Sequence, residues 1–503
     1  MNDSKAENMT STTTGPGAVP ADGFDLHITN ARVVTPQGVV GAGVAVRGGR
    51  IAAVTASGAA PLARRTLDAQ GRYLLPGAID SHVHFRTPGL TYKEDWAHGS
   101  RAAAAGGVTT VIDMPNTQPP LTDPGEAEGK AALIDGESLV DYRFHFGVTE
   151  STVENLHRLT PREATSVKVF MTGHHTAPHV IRDPLVLDRI FAIAAERGLR
   201  LVLHAEDDAV FSLLDDLKGP PAGYGDYEPS RPRSGGIVAA AKVIELVRRH
   251  GTSVHVVHVS SAEESELLRA AHHAGLPVTH EVTAHHLSFS ADDTQRLGAR
   301  IRLSPAIRTV ADQSRLWRGL VDGAVATIGS DHAPHTIEEK SRSVQDSPPG
   351  LPGVQELVTA VFTGMRRRFP EMPLDEVMTR VAGFSSQRPA ELFGIAGRKG
   401  RVAPGYDADL ALFDPEAIWI MSAADAHAKC GWSAYEGWTF TGRPDVTVRR
   451  GEVIYDGRGH DPVFGTPSGV WLEAEPSVRP VGGAGAAPRA DGGETPDASP
   501  ALV

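Results

Sequence analysis

One stretch of the chain combines an apolar run with polar residues that follow it directly, and it sets the pattern from which the fold is predicted. It reads Leu74-Leu75-Pro76-Gly77-Ala78-Ile79-Asp80-Ser81-His82-Val83-His84. A short apolar run bounded by turn residues is typical of a buried strand in a parallel sheet. Similar runs return at intervals through the central part of the chain.

Eight such strand-like runs can be counted, and helical patterns separate most of them. The runs cover residues 74–79, 109–113, 143–148, 166–170, 200–203, 254–257, 277–282 and 325–328. Helical patterns cover residues 95–105, 184–197, 237–250 and 262–274, whereas the segment between the seventh and eighth runs is less clear. Strands that alternate with helices in this number predict an α/β fold, a closed (β/α)₈ barrel of the TIM type.

Shorter β-type runs flank this central block on both sides. They cover residues 26–28, 31–34, 44–46 and 51–54 before it, and 409–413, 446–448 and 453–455 after it. We predict that the two pieces, residues 24–75 and 404–470, pair into one small β-sandwich domain beside a barrel of residues 76–403. Residues 1–23 and 476–503 are rich in small and polar residues, which predicts disordered tails.

Length and composition restrict the class of protein. The chain has 503 residues, 41% hydrophobic and 22% charged, with a formal net charge of −12 at pH 7. This length accommodates a barrel of about 250 residues or more and a smaller partner. The negative charge argues against a nucleic-acid surface. A single cysteine, Cys430, and no long apolar stretch lead us to expect a cytoplasmic protein without membrane spans. We expect a small-molecule substrate and a homo-oligomer.

Polar residues at the ends of the predicted strands form the candidate site. They are His82 and His84 after the first run, Lys168 in the fourth, His204 at the end of the fifth, His258 after the sixth and Asp331 after the eighth. In barrels of this type the active site lies at the carboxyl ends of the strands. Imidazole and carboxylate together suit zinc and similar divalent ions, so these residues predict a metal centre.

Each of these residues also has a simpler explanation. A His-x-His pair alone is a weak signal, and a single histidine at a strand end is more often structural. A single buried lysine usually belongs to an ion pair. The set is more informative than its members, because all of them fall on the face where a barrel places its chemistry.

The motifs around these residues resemble the amidohydrolase superfamily, in the branch that contains dihydroorotases, allantoinases and hydantoinases. The matching segments, in order, are residues 76–86, 102–111, 167–171, 203–207, 257–260, 329–335 and 404–410. The likeness extends over roughly residues 24–460. It implies the barrel fold and the hydrolysis of a cyclic amide.

The resemblance also implies a binuclear centre, commonly of zinc. His82, His84 and Asp331 would hold one ion, and His204 and His258 the other. Lys168 would bridge the two ions after reacting with carbon dioxide to form a carbamate. A hydroxide held between the ions would be the nucleophile, and Asp331 would carry its proton to the leaving nitrogen.

Three further residues favour the dihydroorotase pattern within this branch. Arg86, Asn116 and His335 match residues that grip the substrate carboxylate in that family, a task suited to guanidinium, amide and imidazole donors. Hydantoinases and dihydropyrimidinases act on neutral rings and typically lack this arginine. Alternatively, Arg86 could pair with Glu94 or Asp95, Asn116 could cap a turn, and His335 could face solvent from a loop.

Other positions depart from the family pattern and leave the exact substrate open. Thr87 stands where a glutamate is usual, and Ser304 stands where a substrate-contacting asparagine is expected. The leading hypothesis is the reversible conversion of dihydroorotate to N-carbamoyl-aspartate in pyrimidine biosynthesis. The alternatives are an allantoinase, a hydantoinase or dihydropyrimidinase, and a specialised cyclic-ureide hydrolase. A non-catalytic scaffold is disfavoured because all six ligand candidates are retained.

Two other features of the sequence are assigned to loops or to the surface. The histidine pairs at residues 174–175 and 272–273 are interpreted as surface or loop residues, and the pair at 285–286 is expected to shape the pocket without a catalytic role. Residues 341–353, rich in Ser, Pro and Gly, are expected to form a mobile segment near the active-site mouth.

Overall fold

The computed structural model describes residues 23–173 and 179–475 of the chain. Five strands open it: β1 (Phe24–Thr35), β2 (Gly38–Arg47), β3 (Arg50–Ala56), β4 (Ala63–Asp68) and β5 (Tyr73–Pro76). Strand β2 pairs antiparallel with both β1 and β3, while β4 and β5 lie parallel to β1. The histidine pair predicted at the surface, at residues 174–175, lies outside the described residues.

Nine parallel strands form the central part of the fold. They are β6 (Ala78–Val83), β7 (Val108–Asp113), β8 (Asp141–Phe144), β9 (Phe146–Gly147), β10 (Ser166–Phe170), β11 (Arg200–His204), β12 (Val254–Val256), β13 (Val278–Thr283) and β14 (Thr327–Gly329). Neighbours pair in parallel from β6 to β8 and from β9 to β14. Strands β8 and β9 flank His145 and together occupy one position of the series.

A parallel bridge between Val83 and His332 joins the two ends of this series. The amide of His84 also donates to the carbonyl of His332 at 2.9 Å, and the amide of Ser330 donates to Oδ1 of Asp80 at 3.2 Å. The parallel strands therefore close into a ring, the barrel of the prediction.

Helices follow most of the barrel strands. The α-helices of the described residues are α1 (Trp96–Ala105), α2 (Ala127–Ala132), α3 (Pro184–Arg197), α4 (Asp208–Lys218), α5 (Tyr227–Ser230), α6 (Arg233–His250), α7 (Ala262–His273), α8 (Ala284–Ser288), α9 (Thr294–Leu297), α10 (Val310–Asp322), α11 (Ile337–Lys340), α12 (Leu357–Arg368), α13 (Leu374–Ala382) and α14 (Arg388–Leu392). Local sequence sets their ends. The side chain of Asp183 accepts from the amide of Leu185 at the start of α3, and Gly198 ends that helix at φ 65°. Within the described ranges, every helix is too short or too polar to cross a membrane.

The first predicted barrel strand, residues 74–79, is divided between two strands. Strand β5 ends at Pro76 and belongs to the outer sheet, whereas β6 begins at Ala78 in the barrel. Gly77 makes the passage between them, and its amide donates to the carbonyl of Asp409 at 2.8 Å. A Cβ atom at Gly77 would lie 2.3 Å from Oγ1 of Thr109, so only glycine fits here. An apolar run alone does not reveal such a change of sheet.

Four more strands complete the outer sheet from the far end of the chain: β15 (Leu410–Ile420), β16 (Thr439–Arg449), β17 (Glu452–Asp456) and β18 (Val463–Phe464). Strand β15 pairs antiparallel with β5, with Leu410 opposite Pro76, and so joins both chain ends into one nine-stranded sheet. Its buried side chains form a cluster of their own, which includes Leu26, Ile28 and Val448. Both ends of the chain therefore share one sheet, while their division into a separate β-sandwich domain stays a prediction.

A buried group of charges connects this sheet to the barrel. The Nζ atom of Lys399 lies 2.6 Å from Oδ2 of Asp141, the first residue of β8, and 2.6 Å from Oδ2 of Asp409 beside β15. Arg450 places its Nε 3.3 Å from the same Asp141 oxygen. Since a buried charge is stable only when it is paired, these contacts fix the two parts of the molecule against each other.

Candidate active site

The six predicted ligand residues converge at the carboxyl ends of the barrel strands. His82 lies in β6, Lys168 in β10 and His204 at the end of β11, while the other three follow β6, β12 and β14 directly. All six side chains are buried or nearly so. They line one cavity, whose wall also includes Arg86, Phe170, Leu303, Ser304, Ala333, Pro349 and Gly350.

Three residues at this site hold a left-handed backbone conformation that is unusual for side chains other than glycine. The φ angles are 60° for Arg86, 43° for His258 and 44° for Asp331. Such conformations cost free energy and cluster at functional sites. Each of the three comes within three residues of a barrel strand end, where the chain turns its side chain toward the cavity.

His82, His84 and Asp331 form the first group of candidate ligands. The Nε2 atoms of both histidines lie 3.2 Å from Oδ1 of Asp331. One ligand atom from each residue falls within 4.8 Å of the others. Two imidazole nitrogens and a carboxylate oxygen at this spacing fit a divalent ion such as zinc.

The remote ring nitrogens of the two histidines are held by buried partners. His82 Nδ1 lies 2.8 Å from Oε1 of Glu281, and His84 Nδ1 lies 2.7 Å from Oδ1 of Asn116. These contacts direct both Nε2 atoms toward Asp331. Metal-binding histidines are oriented in this way by carboxylates and carbonyl-type oxygens.

Lys168, His204 and His258 form the second group. The ring centroids of His204 and His258 lie 4.5 Å apart, and His258 lies 5.3 Å from His82. The Nε2 atom of His204 is 3.0 Å from Oε2 of Glu206. The Nζ atom of Lys168 is buried and has no hydrogen-bond partner among the described residues.

Burial sets the protonation of this group of side chains. It holds the pKa of His82, His84 and His258 well below the usual range, so these imidazoles are neutral near pH 7. Neutral imidazole is the form that binds metals. Burial also lowers the pKa of Lys168 to about 8, against the opposing effect of Asp331 and Glu281. A buried amine that has no hydrogen-bond partner in the described part of the chain and lies beside several imidazoles fits a residue that can take a modification or contact an ion.

Arg86 is the most conspicuous candidate for binding a substrate. Its side chain is buried and lines the cavity, yet Nε and both terminal nitrogens have no hydrogen-bond partner in the described parts of the chain. The alternative pairing with Glu94 or Asp95 is not formed: Glu94 contacts His332, and Asp95 contacts Lys429. Burial lowers the pKa of Arg86 to about 10, so the group stays charged at neutral pH.

Two of the other predicted substrate residues, Ser304 and Asn116, border cavities but contact neighbouring side chains. Ser304 lines the cavity and donates to Oε2 of Glu206 at 3.1 Å. Asn116 borders a neighbouring cavity that shares Lys168 with the first, and contacts His84 as described.

His335 lies behind the cavity wall and is fully buried. Its Nε2 donates to the carbonyl of Pro349 at 3.1 Å, and its Nδ1 lies 3.1 Å from Nζ of Lys93 and 3.2 Å from Oε2 of Glu339. Both ring nitrogens are therefore engaged by the protein. His335 is therefore neither a solvent-facing loop residue nor a free donor toward the cavity.

Sequence reasoning missed the two carboxylates that orient the ligands, Glu281 and Glu206. Both stand in motifs that the sequence made visible, since Glu206 follows His204 by two positions and Glu281 lies in the strand before His285. The available signal was the alternation of an extended chain, which puts residues two apart on one side. His285 itself is buried against Tyr435, its Nδ1 3.3 Å from the hydroxyl.

The barrel and the group of imidazole, lysine and carboxylate side chains at its strand ends define a barrel enzyme with a candidate metal centre. Residues 73–454 match the Amidohydrolase family. The chain therefore belongs to the Amidohydrolase family.

Individual relatives indicate the branch of the family to which the chain is most similar. The chain is 34% identical to a dihydroorotase of Methanosarcina acetivorans over 438 residues, which is 86% of this chain and 92% of that protein. It is 33% identical to an allantoinase of Streptomyces avermitilis over 455 residues, 90% of this chain and 99% of that protein. An L-hydantoinase structure from Arthrobacter aurescens superimposes with a TM-score of 0.84 at 27% identity, covering 90% of this chain and 100% of that one. The protein is thus a cyclic amidohydrolase of the dihydroorotase, allantoinase and hydantoinase branch, as the motifs predict.

Proposed function

We propose that the protein reversibly hydrolyses a cyclic amide that carries a carboxylate, dihydroorotate, to N-carbamoyl-aspartate, a step of pyrimidine biosynthesis. The observation that carries the proposal is the Arg86 guanidinium, buried in the wall of the cavity with three nitrogens that have no partner among the described residues. Leaving such a group unpaired is costly, and a carboxylate offers it two parallel hydrogen bonds. A neutral ring would offer these donors no carboxylate.

The proposal includes two divalent ions, most simply zinc. His82, His84 and Asp331 would hold one ion and His204 and His258 the other. When bound, the ions supply Lewis acidity, which makes water nucleophilic near neutral pH and polarises an amide carbonyl. Six buried donors, with neutral imidazoles among them, support this assignment.

Lys168 is proposed to carry a carbamate. The ammonium would first lose one proton; the neutral amine would then add to the carbon of carbon dioxide and release a second proton, so that a cationic side chain becomes an anionic carbamate with the loss of two protons in all. The lowered pKa, about 8, makes the neutral amine accessible at physiological pH. A cationic ammonium between two metal ions would repel them, whereas a carbamate can bridge them.

The protein's own residues divide the remaining work. Asp331 is the catalytic residue: its Oδ1, 3.2 Å from both His82 and His84, would take a proton from the attacking water and transfer it to the leaving amide nitrogen. Arg86 would bind the carboxylate and so place the scissile bond. Glu281 and Asn116 keep the two imidazoles in the required orientation.

A specialised hydrolase of another acidic cyclic ureide is the second candidate. Ser304 donates its hydroxyl to Glu206, and His335 donates to Pro349. Because both side chains are engaged within the protein, Arg86 is the main donor that remains for a substrate carboxylate. A substrate with a carboxylate in a different position on the ring would satisfy the same guanidinium.

The proposal extends to the domain organisation. Residues 24–75 and 404–470 would form a small β-sandwich domain, and residues 76–403 the catalytic barrel. The separate buried cluster around Leu26, Ile28 and Val448 supports this division. Expression of residues 76–403 alone, which removes the outer sheet including β15 and nearly all of β5, tests whether the barrel depends on that sheet.

A substrate panel tests the proposed activity. Purified, zinc-loaded protein is given dihydroorotate, N-carbamoyl-aspartate, allantoin, hydantoin and dihydrouracil in parallel, with bicarbonate present. Efficient turnover of dihydroorotate that is lost in Asp331→Ala is the expected result. Turnover of a neutral ring with none of dihydroorotate would overturn the assignment of Arg86 while keeping the barrel and its metal ligands.

A further inference from the structure

Two chain segments form adjacent parts of the cavity wall. Leu303 and Ser304 belong to the segment that follows residues 298–301, and Pro349 and Gly350 belong to the segment that follows α11. Neither segment is part of a barrel strand. The distance between them therefore depends on contacts other than the strand pairing of the barrel.

The buried side chain of Lys340 connects these two segments. Its Nζ donates to the carbonyl of Pro348 at 2.9 Å, to that of Gly350 at 2.8 Å and to that of Arg302 at 3.5 Å. An ammonium group has three donors, and here each has a backbone oxygen. The carbonyls come from both wall segments.

Lys340, like Lys168, differs from the other buried lysines of the described residues in having no carboxylate partner. Lys130 and Lys399 contact carboxylates at 2.7 Å and 2.6 Å, whereas no carboxylate in the described residues lies within ion-pair distance of Lys340. A buried cation without a counter-ion lowers stability. The burial of Lys340 is therefore not explained by an ion pair that stabilises the fold.

Other contacts act on the Pro349–Gly350 segment together with Lys340. The amide of Gly350 donates to the carbonyl of Arg302 at 3.0 Å, and a Cβ atom on Gly350 would lie 2.5 Å from the carbonyl oxygen of Ala333. Pro349 receives the bond from His335. The predicted loop of residues 341–353 is thus attached to the wall at its far end.

We propose that Lys340 is a positioning residue that places this part of the substrate-cavity wall by holding the carbonyls of Arg302, Pro348 and Gly350. Substrate affinity then depends on Lys340 although its side chain does not line the cavity. The inference rests on the proposed function in one respect, since it takes a cyclic amide to be the occupant of this cavity. His335 acts in the same way through Pro349.

The test compares Lys340→Met with the wild type, both loaded with zinc. Methionine keeps the length of the stem and removes all three donors. KM for dihydroorotate is expected to rise about 10- to 100-fold, the effect of a displacement of about 1 Å in a binding site, while kcat changes less. Amide hydrogen exchange in residues 347–353 is expected to become faster, with exchange in β11 unchanged. Lys218→Met, at an exposed lysine of α4, is the matched control.

Each outcome decides the inference. Unchanged KM, or unchanged exchange in residues 347–353, would overturn it. A parallel loss of kcat, metal content and thermal stability would also overturn it, because that pattern marks a general structural role. If Lys340→Met is recovered only as aggregate, Lys340→Gln, which keeps two donors, is measured in its place. If the wild type hydrolyses another ring, the proposed substrate fails, and KM is then measured on that ring.

Discussion

His82 Nδ1 lies 2.8 Å from Oε1 of Glu281, and both side chains are buried. Burial and the neighbouring carboxylates of Asp80 and Asp331 raise the pKa of Glu281 well above its usual range. A carboxylate in this position is stabilised by positive charge, which divalent ions at His82 would provide. The pair therefore connects the orientation of a ligand to the binding of an ion.

Replacing Glu281 with glutamine is expected to weaken metal binding. The amide keeps the shape and removes the negative charge, so zinc affinity should fall about 10- to 100-fold, as for other partners of metal-binding histidines. Competition with a chromophoric chelator measures the affinity. Glu266→Gln, at a surface ion pair with Arg269, should leave it unchanged. Equal affinities for wild type and Glu281→Gln would contradict the role given to this residue.

Replacing Arg86 with methionine is expected to act on substrates selectively. The loss of charged hydrogen bonds to a carboxylate corresponds to about 1.5–3 kcal/mol, or about 10- to 150-fold in KM for dihydroorotate. Turnover of a neutral ring, where the wild type has any, should change little. Steady-state kinetics on both substrates provide the comparison, and Arg318→Met at an exposed position serves as the control. An equal loss on both rings would be inconsistent with carboxylate binding.

Metal uptake is expected to depend on carbon dioxide and on pH through Lys168. Burial lowers the pKa of its folded-state amine from the usual 10.5 to about 8. The neutral, reactive fraction therefore rises as pH increases toward 8 and levels off above it. At constant dissolved carbon dioxide, reconstitution of metal-free protein with zinc should become faster over that interval. Lys168→Met should bind less zinc and show no response to carbon dioxide, whereas a full response in this variant would refute the carbamate.

The charged junction between the barrel and the outer sheet is expected to be important for stability. Lys399→Met leaves Asp141 and Asp409 buried without their shared partner, which should lower the free energy of unfolding by about 3–5 kcal/mol. Urea unfolding followed by circular dichroism measures the change. Arg401→Met, which removes a half-exposed pair with Glu391, should cost no more than about 1 kcal/mol. Similar midpoints for the two variants would contradict this expectation.

The ring of strands and the approach of the ligand candidates could be predicted because both follow from short-range patterns. Apolar runs at regular intervals predict parallel strands, and the rule that barrel chemistry lies at strand ends brings together His82, His204 and Asp331 without any knowledge of contacts. The structure places all three around one cavity. Their role as ligands remains a prediction.

Contacts between distant parts of the chain could not be predicted in this way. His335 is close in sequence to Asp331, yet its orientation depends on Lys93 and Pro349, which no local pattern connects to it. The division of residues 74–79 between two sheets depends likewise on Asp409, which receives the amide of Gly77. Hydrophobic periodicity reports which residues are buried, and it does not report which of two neighbouring sheets buries them.

The pairing of β5 with β15 has a consequence for the order in which the protein is made. Strands β1–β5 leave the ribosome before the barrel does, but the partner of Pro76 is Leu410, which follows the entire barrel in the sequence. Until that partner is translated, β5 keeps an open hydrogen-bonding edge in a nascent chain, where unpaired edges invite contact with other chains. Translation therefore includes an interval in which the edge of β5 is protected only by chaperones or by rapid synthesis of the rest of the chain. Truncated products that end before β15 should aggregate more than the full chain.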